Sequence, residues 1–407
     1  MKNQEAACAS GAPAPGQELR LRAAEIGERL RAALQSLLDA LFEPGVGPQR
    51  LADRLGRGVP MASRLLKALA AGDPLALLYH VPGPDPLRQL VRAAGRHGAG
   101  PELCRAARSA VDEFAGLVGD AGNRSGLNAM LAAWVPEARR TFELRRRQAA
   151  WRALSELKGA LCATDLVTMC LHPSAQEGRL DLAVVLGRFG LRRLRPGVRV
   201  PFSTERLSPE DVPRRPTSLA GVPADASLDS VRLDAFCQAP PAPIESTIVS
   251  DRVLHVLGES GFGPRAGVDV VVGEVNRAEF PSPSARAADR RFFFHCPSVP
   301  ARLLVFDLFV HQDVYPDPRP ELVVTDITAS GLAHPTDAMR AVDRIEVFEE
   351  IEDVWPGPGL RVPELPRYRE LVDHVHAELG WRLDEMRGYR VRMEYPVPGM
   401  QVSLVLP

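Results

Sequence analysis

"LADRLGRGVPMASRLLKALAAGD", Leu51 to Asp73, decides how the first half of the chain is read. Apolar residues recur at helical spacing twice. Leu51, Ala52 and Leu55 precede Gly56, and Ala62, Leu65, Leu66 and Leu69 follow it. This is the pattern of two short helices joined by a tight turn, not of alternating strands. The turn needs glycine because a left-handed backbone costs other residues energy. Pro60 suits the first turn of the second helix, where its missing N–H does no harm.

In this arrangement Ala52 is the small residue where the helices cross. Leu51 and Leu55 face the core, and Ala62, Leu65, Leu66 and Leu69 lock the second helix onto the first. Arg57, Met61, Ser63, Arg64 and Lys67 are left nearer the outside. Ser63, Arg64 and Lys67 carry the chemistry that meets base edges and phosphates. The stretch resembles the helix-turn-helix of bacterial transcription regulators, most of all those in which the motif is followed by a separate sensor domain. The resemblance covers Leu51–Asp73 alone. It implies that the second helix enters the major groove and that Arg57, Ser63, Arg64 and Lys67 contact DNA.

Working outward, residues 1–17 are rich in Ala, Pro and Gly and read as a disordered tail. An amphipathic helix is expected over 18–42, from the stripe Ile26, Leu30, Leu34, Leu37, Leu38 and Leu41. Pro82, Pro84 and Pro86 break the segment after the opening motif into short helices. Another helix is expected over 101–119. A long one follows from 124 to 160, interrupted near Pro136, and completes a helical domain over 18–160. It carries Arg139, Arg140, Arg145, Arg146 and Arg147, a cluster suited either to a solvated face or to phosphates. At about 161 the texture changes to β-formers. "CATDLVTMCLHP" and "RLDLAVVLGRFGLRRL" predict a hairpin, read as an extension over 161–202. Residues 203–230 read as a linker. The remainder, 231–407, predicts an α+β domain. Its strands are expected at 252–258, 267–275, 301–311, 321–328 and 389–405, and a helix at 366–380. The segment 301–311 is apolar enough for a central strand. The expected fold class is α+β: an all-α N-terminal half bearing the helix-turn-helix, then a mixed, mainly antiparallel α+β half.

The chain has 407 residues, 45% of them apolar, which suits two or three domains and excludes a mainly disordered protein. Its net charge of −1 hides an asymmetry: residues 1–200 hold 29 Lys/Arg and 19 Asp/Glu, and the rest 21 and 32. A basic half joined to an acidic half points to nucleic acid or a membrane surface as partner, or to the two halves attracting each other. The six cysteines form no CxxC pair and have no zinc-like spacing with histidine. They read as small buried hydrophobes in a reducing compartment, so a cytoplasmic protein without a signal peptide or membrane span is expected.

Catalytic signatures are missing: there is no GxSxG, HExxH or CxxC. "FDLFVHQDVY" places Asp307, His311 and Asp313 at even spacing, where a metal or acid–base role competes with a satisfied strand end. His374 and His376 point apart on a helix and share no metal. "GESGFGP", Gly258–Pro264, reads as a hairpin turn. No catalytic residue, metal or cofactor is assigned. The reading is a DNA-binding transcriptional regulator, with a homodimer as one assembly open to it, whose C-terminal domain senses a small molecule or drives assembly. A sensor predicts a cavity of about 300 Å³ or more between the sheet and the helix near 366–380. Two alternatives stand beside it: a protein-interaction scaffold that ignores DNA, and an enzyme using a pocket around Asp307, His311 or Asp313.

Overall fold

The computed structural model describes residues 15–206, 217–223, 227–250, 252–258, 261–283, 290–315, 319–354 and 358–407. The reading of 1–17 as a tail falls almost wholly outside them, as does the central part of the expected linker. The chain divides into two compact units, Met1–Glu143 and Leu144–Pro407. Helices come first and strands follow, so the fold is α+β.

The first unit is helical: α1 (Pro15–Asp39), α2 (Pro48–Leu55), α3 (Val59–Ala70), α4 (Pro74–His80), α5 (Pro84–Arg96), α6 (Pro101–Asp120) and α7 (Arg124–Ala132). The next helix, α8 (Pro136–Lys158), crosses the unit boundary. The expected interruption near Pro136 is thus a break between α7 and α8. The stripe on α1 is buried as its periodicity required, with Leu30, Leu34 and Leu37 fully covered. A Cβ on Gly27 of α1 would lie 2.5 Å from the carbonyl oxygen of Pro74. Only glycine lets α1 approach the start of α4 this closely. Arg31, one turn further along α1, donates to the carbonyls of Ala71 and Gly72 at 2.7 and 3.1 Å and so satisfies the end of α3.

The second unit is built from β1 (Ala160–Pro173), β2 (Arg179–Arg193), β3 (Val200–Arg206), β4 (Thr217–Ser218), β5 (Ile244–Val249), β6 (Arg252–Leu257) and β7 (Val268–Pro281). To these it adds β8 (Phe292–His295), β9 (Ala301–His311), β10 (Glu321–Asp326), β11 (Ile351–Asp353), β12 (Met386–Glu394) and β13 (Met400–Val405), with α9 at Tyr368–Leu379. A seven-stranded sheet runs β11-β12-β9-β1-β2-β7-β4, beside three-stranded sheets β10-β13-β8 and β3-β6-β5. β9 pairs parallel with β1 and antiparallel with β12.

The hairpin expected as an extension is therefore central to the main sheet. The expected linker likewise contains structure, since β3 closes at Arg206, β4 joins the main sheet and a 3-10 turn spans Leu228–Val231. "GESGFGP" is not a hairpin turn. The strands on either side of it, β6 and β7, belong to different sheets; residues 259–260 lie outside the described residues. The single strand expected over 389–405 is two, β12 and β13, which also belong to different sheets. β9 matches its expected span and is buried on both faces. Leu303, Val305 and Phe309 meet the core under α9, and Leu304, Phe306 and Leu308 the opposite core.

Two buried carboxylates set the registers of these strands. Asp307 on β9 stands opposite Arg390 on β12, which grips it with Nε and Nη2 at 2.8 and 2.6 Å. Tyr368 of α9 donates its hydroxyl to the same carboxylate. Asp165 on β1 stands opposite Arg188 on β2 and pairs with it, while His295 Nε2 lies 2.9 Å from its other oxygen. Burial works to raise the Asp165 carboxyl, but the Arg188 and His295 charges outweigh it and hold the group below its ordinary value.

Replacing Asp307 with Ala leaves Arg390 charged and unpaired in the core. We expect a loss of about 3–5 kcal/mol in a urea melt. The double replacement Asp307→Leu with Arg390→Met should recover much of it, because both charges leave together. A single-variant loss below about 1 kcal/mol would show that the pair does not hold the sheet.

Burial also lowers the pKa of His172, His255 and His376 below 6.5. The unfolded chain then takes up protons near pH 6.5 while the folded sites still refuse them. Stability from these groups is complete above that pH and falls as pH drops through it towards the lower folded values. Thermal melts from pH 8 to 5.5 should show a declining Tm, and His376→Gln should flatten that slope. A Tm that rises on acidification would contradict the effect of burial.

Candidate nucleic-acid interface

Gly56 ends α2 with φ 60° and ψ 42°, the left-handed conformation expected of the turn residue. Its cap and the following amide close back on Ala52 and Asp53. Leu51, Ala52 and Leu55 are buried on α2, and Ala62, Leu65 and Ala68 on α3. Met61, Leu66 and Leu69 are partly buried against the same core. This fixes the rotation of α3 about its axis. Ser63, Arg64 and Lys67 are exposed in consequence. Arg64 and Lys67 are three residues apart and so neighbours on the helix surface. Neither makes a hydrogen bond or ion pair among the described residues.

Nearby acids are engaged elsewhere. Asp53 accepts from Gln49 Nε2 at 2.9 Å, and Asp73 caps α4 by accepting from the amides of Leu75 and Ala76. The start of α3 has no side-chain cap, since Gly58 precedes it. Pro60 has no N–H, and the Met61 and Ala62 amides donate to the Gly58 carbonyl at 3.0 and 3.2 Å, so the start of α3 offers few free amides. Arg57 differs from the other three. It is half-buried, and its Nη1 donates to Gln89 Oε1 of α5 at 2.6 Å. Its guanidinium ties the turn to α5 and is not part of the α3 face.

A histidine and a further arginine lie within electrostatic reach of the α3 cations. His80 ends α4 and Arg124 begins α7, each half-buried. Arg124 Nη2 donates to the carbonyls of Leu78, Tyr79 and Val81 at 2.6, 3.0 and 2.9 Å, closing the C-terminal end of α4. Its guanidinium also sits 5.1 Å from the Phe114 ring centre. Spacing alone does not bring His80 and Arg124 to α3, and the sequence reading missed both.

The first-half charge asymmetry belongs only in small part to this unit. Residues 1–143 hold 18 Lys/Arg and 15 Asp/Glu, while 144–200, which fold with the second unit, hold 11 and 4. Several of those later arginines are internal. Arg147 is buried, pairs with Glu349 at 2.5 Å and lies 4.6 Å from the Phe348 ring centre. Arg139 pairs with Glu143 at 2.8 Å. The arginine cluster on α8 is therefore neither a wholly solvated face nor a set of free phosphate contacts. A case for DNA rests on α3 itself.

The other candidates resolve as structure. Asp307, Phe309 and His311 share one face of β9, as alternation required, but Asp307 is fully buried and saturated by Arg390 and Tyr368. His311 accepts from the Asp313 amide at 3.2 Å and lies 3.4 Å from Glu385. His311 therefore belongs to a satisfied strand end, and Asp307 is core. His376 bonds to the Val372 carbonyl, while His374 lies 5.4 Å from the Phe236 ring centre. Among the described residues no His/Cys/Asp/Glu group stands ready to hold a metal ion. A cavity is expected beneath the helix near 366–380. Thr168, Cys170, Val372, Val375 and His376 border a gap there that admits no water molecule. Burial pushes the thiols of Cys162 and Cys296 up to about 12, so these cysteines are inert at neutral pH. No described helix is long and apolar enough to cross a membrane.

No family model matches the chain, and no curated protein matches it. Among solved structures it is similar to a two-domain M1 zinc metallopeptidase bound to L-tryptophan, with 10% identity and a TM-score of 0.25. It is also similar to the M1 zinc metallopeptidase from Deinococcus radiodurans, with 11% identity and a TM-score of 0.24. Each match covers 61% of this chain and 43% or 42% of the other, so the chain spans less than half of either enzyme. At those scores the likeness carries no conclusion about fold or activity.

Proposed function

We propose that this protein binds double-stranded DNA through the outer face of α3 and acts as a transcriptional regulator. The observation that supports this is the side-to-side division of one helix. Ala62, Leu65 and Ala68 lock it into the core, and Ser63, Arg64 and Lys67 stand exposed with no acidic partner among the described residues. A helix held this way presents its polar face as a rigid probe of major-groove dimensions. Arg64 can pair with guanine through two N–H groups, Lys67 neutralises a phosphate, and Ser63 adapts to either. The start of α3 adds the positive end of the helix dipole. For the second unit, ligand sensing and assembly both remain open, with the gap at Thr168, Cys170 and His376 too small to hold a ligand. A homodimer would present two copies of α3 about 34 Å apart, one turn of DNA.

Binding to duplex DNA should weaken steeply with salt, since each neutralised phosphate releases counterions. Lys67→Ala should weaken binding to every sequence and lower the salt slope by about one. Arg64→Ala should cost about 1–3 kcal/mol and relax sequence preference. Both variants should melt within about 0.5 kcal/mol of the parent, because the side chains are exposed. Fluorescence-anisotropy titrations at several salt concentrations, with melts of each variant, make the comparison. A parent protein that ignores DNA at low salt defeats the proposal and leaves a protein-interaction role for the same face.

A further inference from the structure

Three cationic side chains and one histidine from three helices lie within electrostatic reach of one another. Arg64 and Lys67 come from α3, His80 from the last turn of α4 and Arg124 from the first turn of α7. The three cations oppose protonation of His80, and Arg64 opposes the charge on Arg124. Burial first, then Lys67 and Arg64, then Arg124, lower the His80 pKa below 6.5, against Glu137 of α8 alone acting to raise it. Burial, and then Arg64, pull Arg124 down to about 10, so it keeps its charge at neutral pH.

Arg124 is the unusual member. A buried polar N–H ordinarily has a hydrogen-bond partner. Arg124 makes no ion pair among the described residues, has three carbonyls on Nη2, and its buried Nη1 has no partner at all. A structural cap for α4 needs the Nη2 bonds only. It needs neither an unsatisfied Nη1 nor two further free cations alongside. Such uncompensated repulsion costs stability and is relieved when an anion with several acceptor oxygens arrives.

We propose that Arg64, Lys67, His80 and Arg124 form a binding site for a phosphate group, with His80 taking up a proton as the phosphate binds. The proposal rests on the DNA reading for the source of that phosphate, the DNA backbone beside the groove that α3 enters. The shared chemistry also admits a free phosphoryl ligand, and the two sources can be told apart. The sign of the pH dependence follows from the charges. An anion among these groups offsets the Lys67, Arg64 and Arg124 fields and raises the His80 pKa, so binding strengthens as pH falls from 8 towards 6. Each unit of that rise strengthens binding about tenfold.

The test follows the His80 imidazole by NMR in the full chain, assigned by its loss in His80→Gln. It is titrated from pH 5 to 8 in chloride, in inorganic phosphate at equal ionic strength, and with a duplex of about 20 base pairs, a length chosen to span two turns of DNA. A raised pKa with the duplex, with tighter duplex binding at pH 6 than at pH 8 that His80→Gln abolishes, supports the site and identifies the backbone as its source. A raised pKa in inorganic phosphate from a protein that does not bind the duplex supports the site, identifies a free phosphoryl ligand and defeats the DNA reading. A His80 pKa unmoved by either probe overturns the site, even if α3 binds DNA. The pKa itself is read in the parent protein, and a thermal melt of His80→Gln checks that the variant used for assignment is folded.

Discussion

The second unit depends on the rule that a charge taken out of water must be paired. Asp165 and Asp307 sit mid-strand in the main sheet, and each stands directly opposite an arginine on the neighbouring strand. A shift of one residue in either pairing would turn the arginine to the other face and strand both charges in apolar surroundings. The pairs thus specify register where the surrounding Val and Leu residues tolerate several registers equally. Asp307 also receives the Tyr368 hydroxyl, so the same carboxylate that aligns β9 with β12 seats α9 on the sheet. The parallel contact of β1 with β9 brings Thr168 opposite Asp307, and Thr168 in turn lies 3.1 Å from the Tyr368 hydroxyl.

The first unit is organised on different terms. Its core is aliphatic, and specificity comes from close backbone approach and from helix ends. Gly27 lets α1 meet α4, Arg31 satisfies the end of α3, Asp73 caps α4 and Arg124 closes it. Each of these contacts acts on the position of α3 or of the helix that follows it. A surface helix intended to read a groove has to be held in rotation and translation by groups other than those that touch the ligand. Here the holding groups and the exposed Ser63, Arg64 and Lys67 are different residues.

Electrostatics show why whole-segment charge is a poor guide to an interface. The basic excess of residues 1–200 belongs mainly to a stretch that folds with the second unit, where Arg147, Arg188 and Arg193 are buried. Arginines of this kind satisfy carboxylates and carbonyls inside the protein. What matters at α3 is local: Arg64 and Lys67 remain exposed and make no ion pair among the described residues.

Local pattern by itself determined much of this protein. The α1 stripe, the Gly56 turn, the buried side of α3, the break at Pro136, the span of β9 and the position of α9 were all legible, because each follows from periodicity or from a single residue's backbone limits. So was the α+β order of elements. Tertiary structure alone decided the rest. The β1–β2 hairpin became the centre of a sheet because its partners β9 and β7 lie far along the chain, and no local signal encodes that pairing. Residues 389–405 split into strands of different sheets for the same reason. For Asp307 the sequence weighed a metal or acid–base role against a satisfied strand end, and neither reading could find its partner Arg390, 83 residues away, which makes it a register pin. His80 and Arg124 stand beside Arg64 and Lys67 only because α3, α4 and α7 pack as they do. Spacing along one helix shows which side chains share its face; which side chains from other helices join them is set by packing.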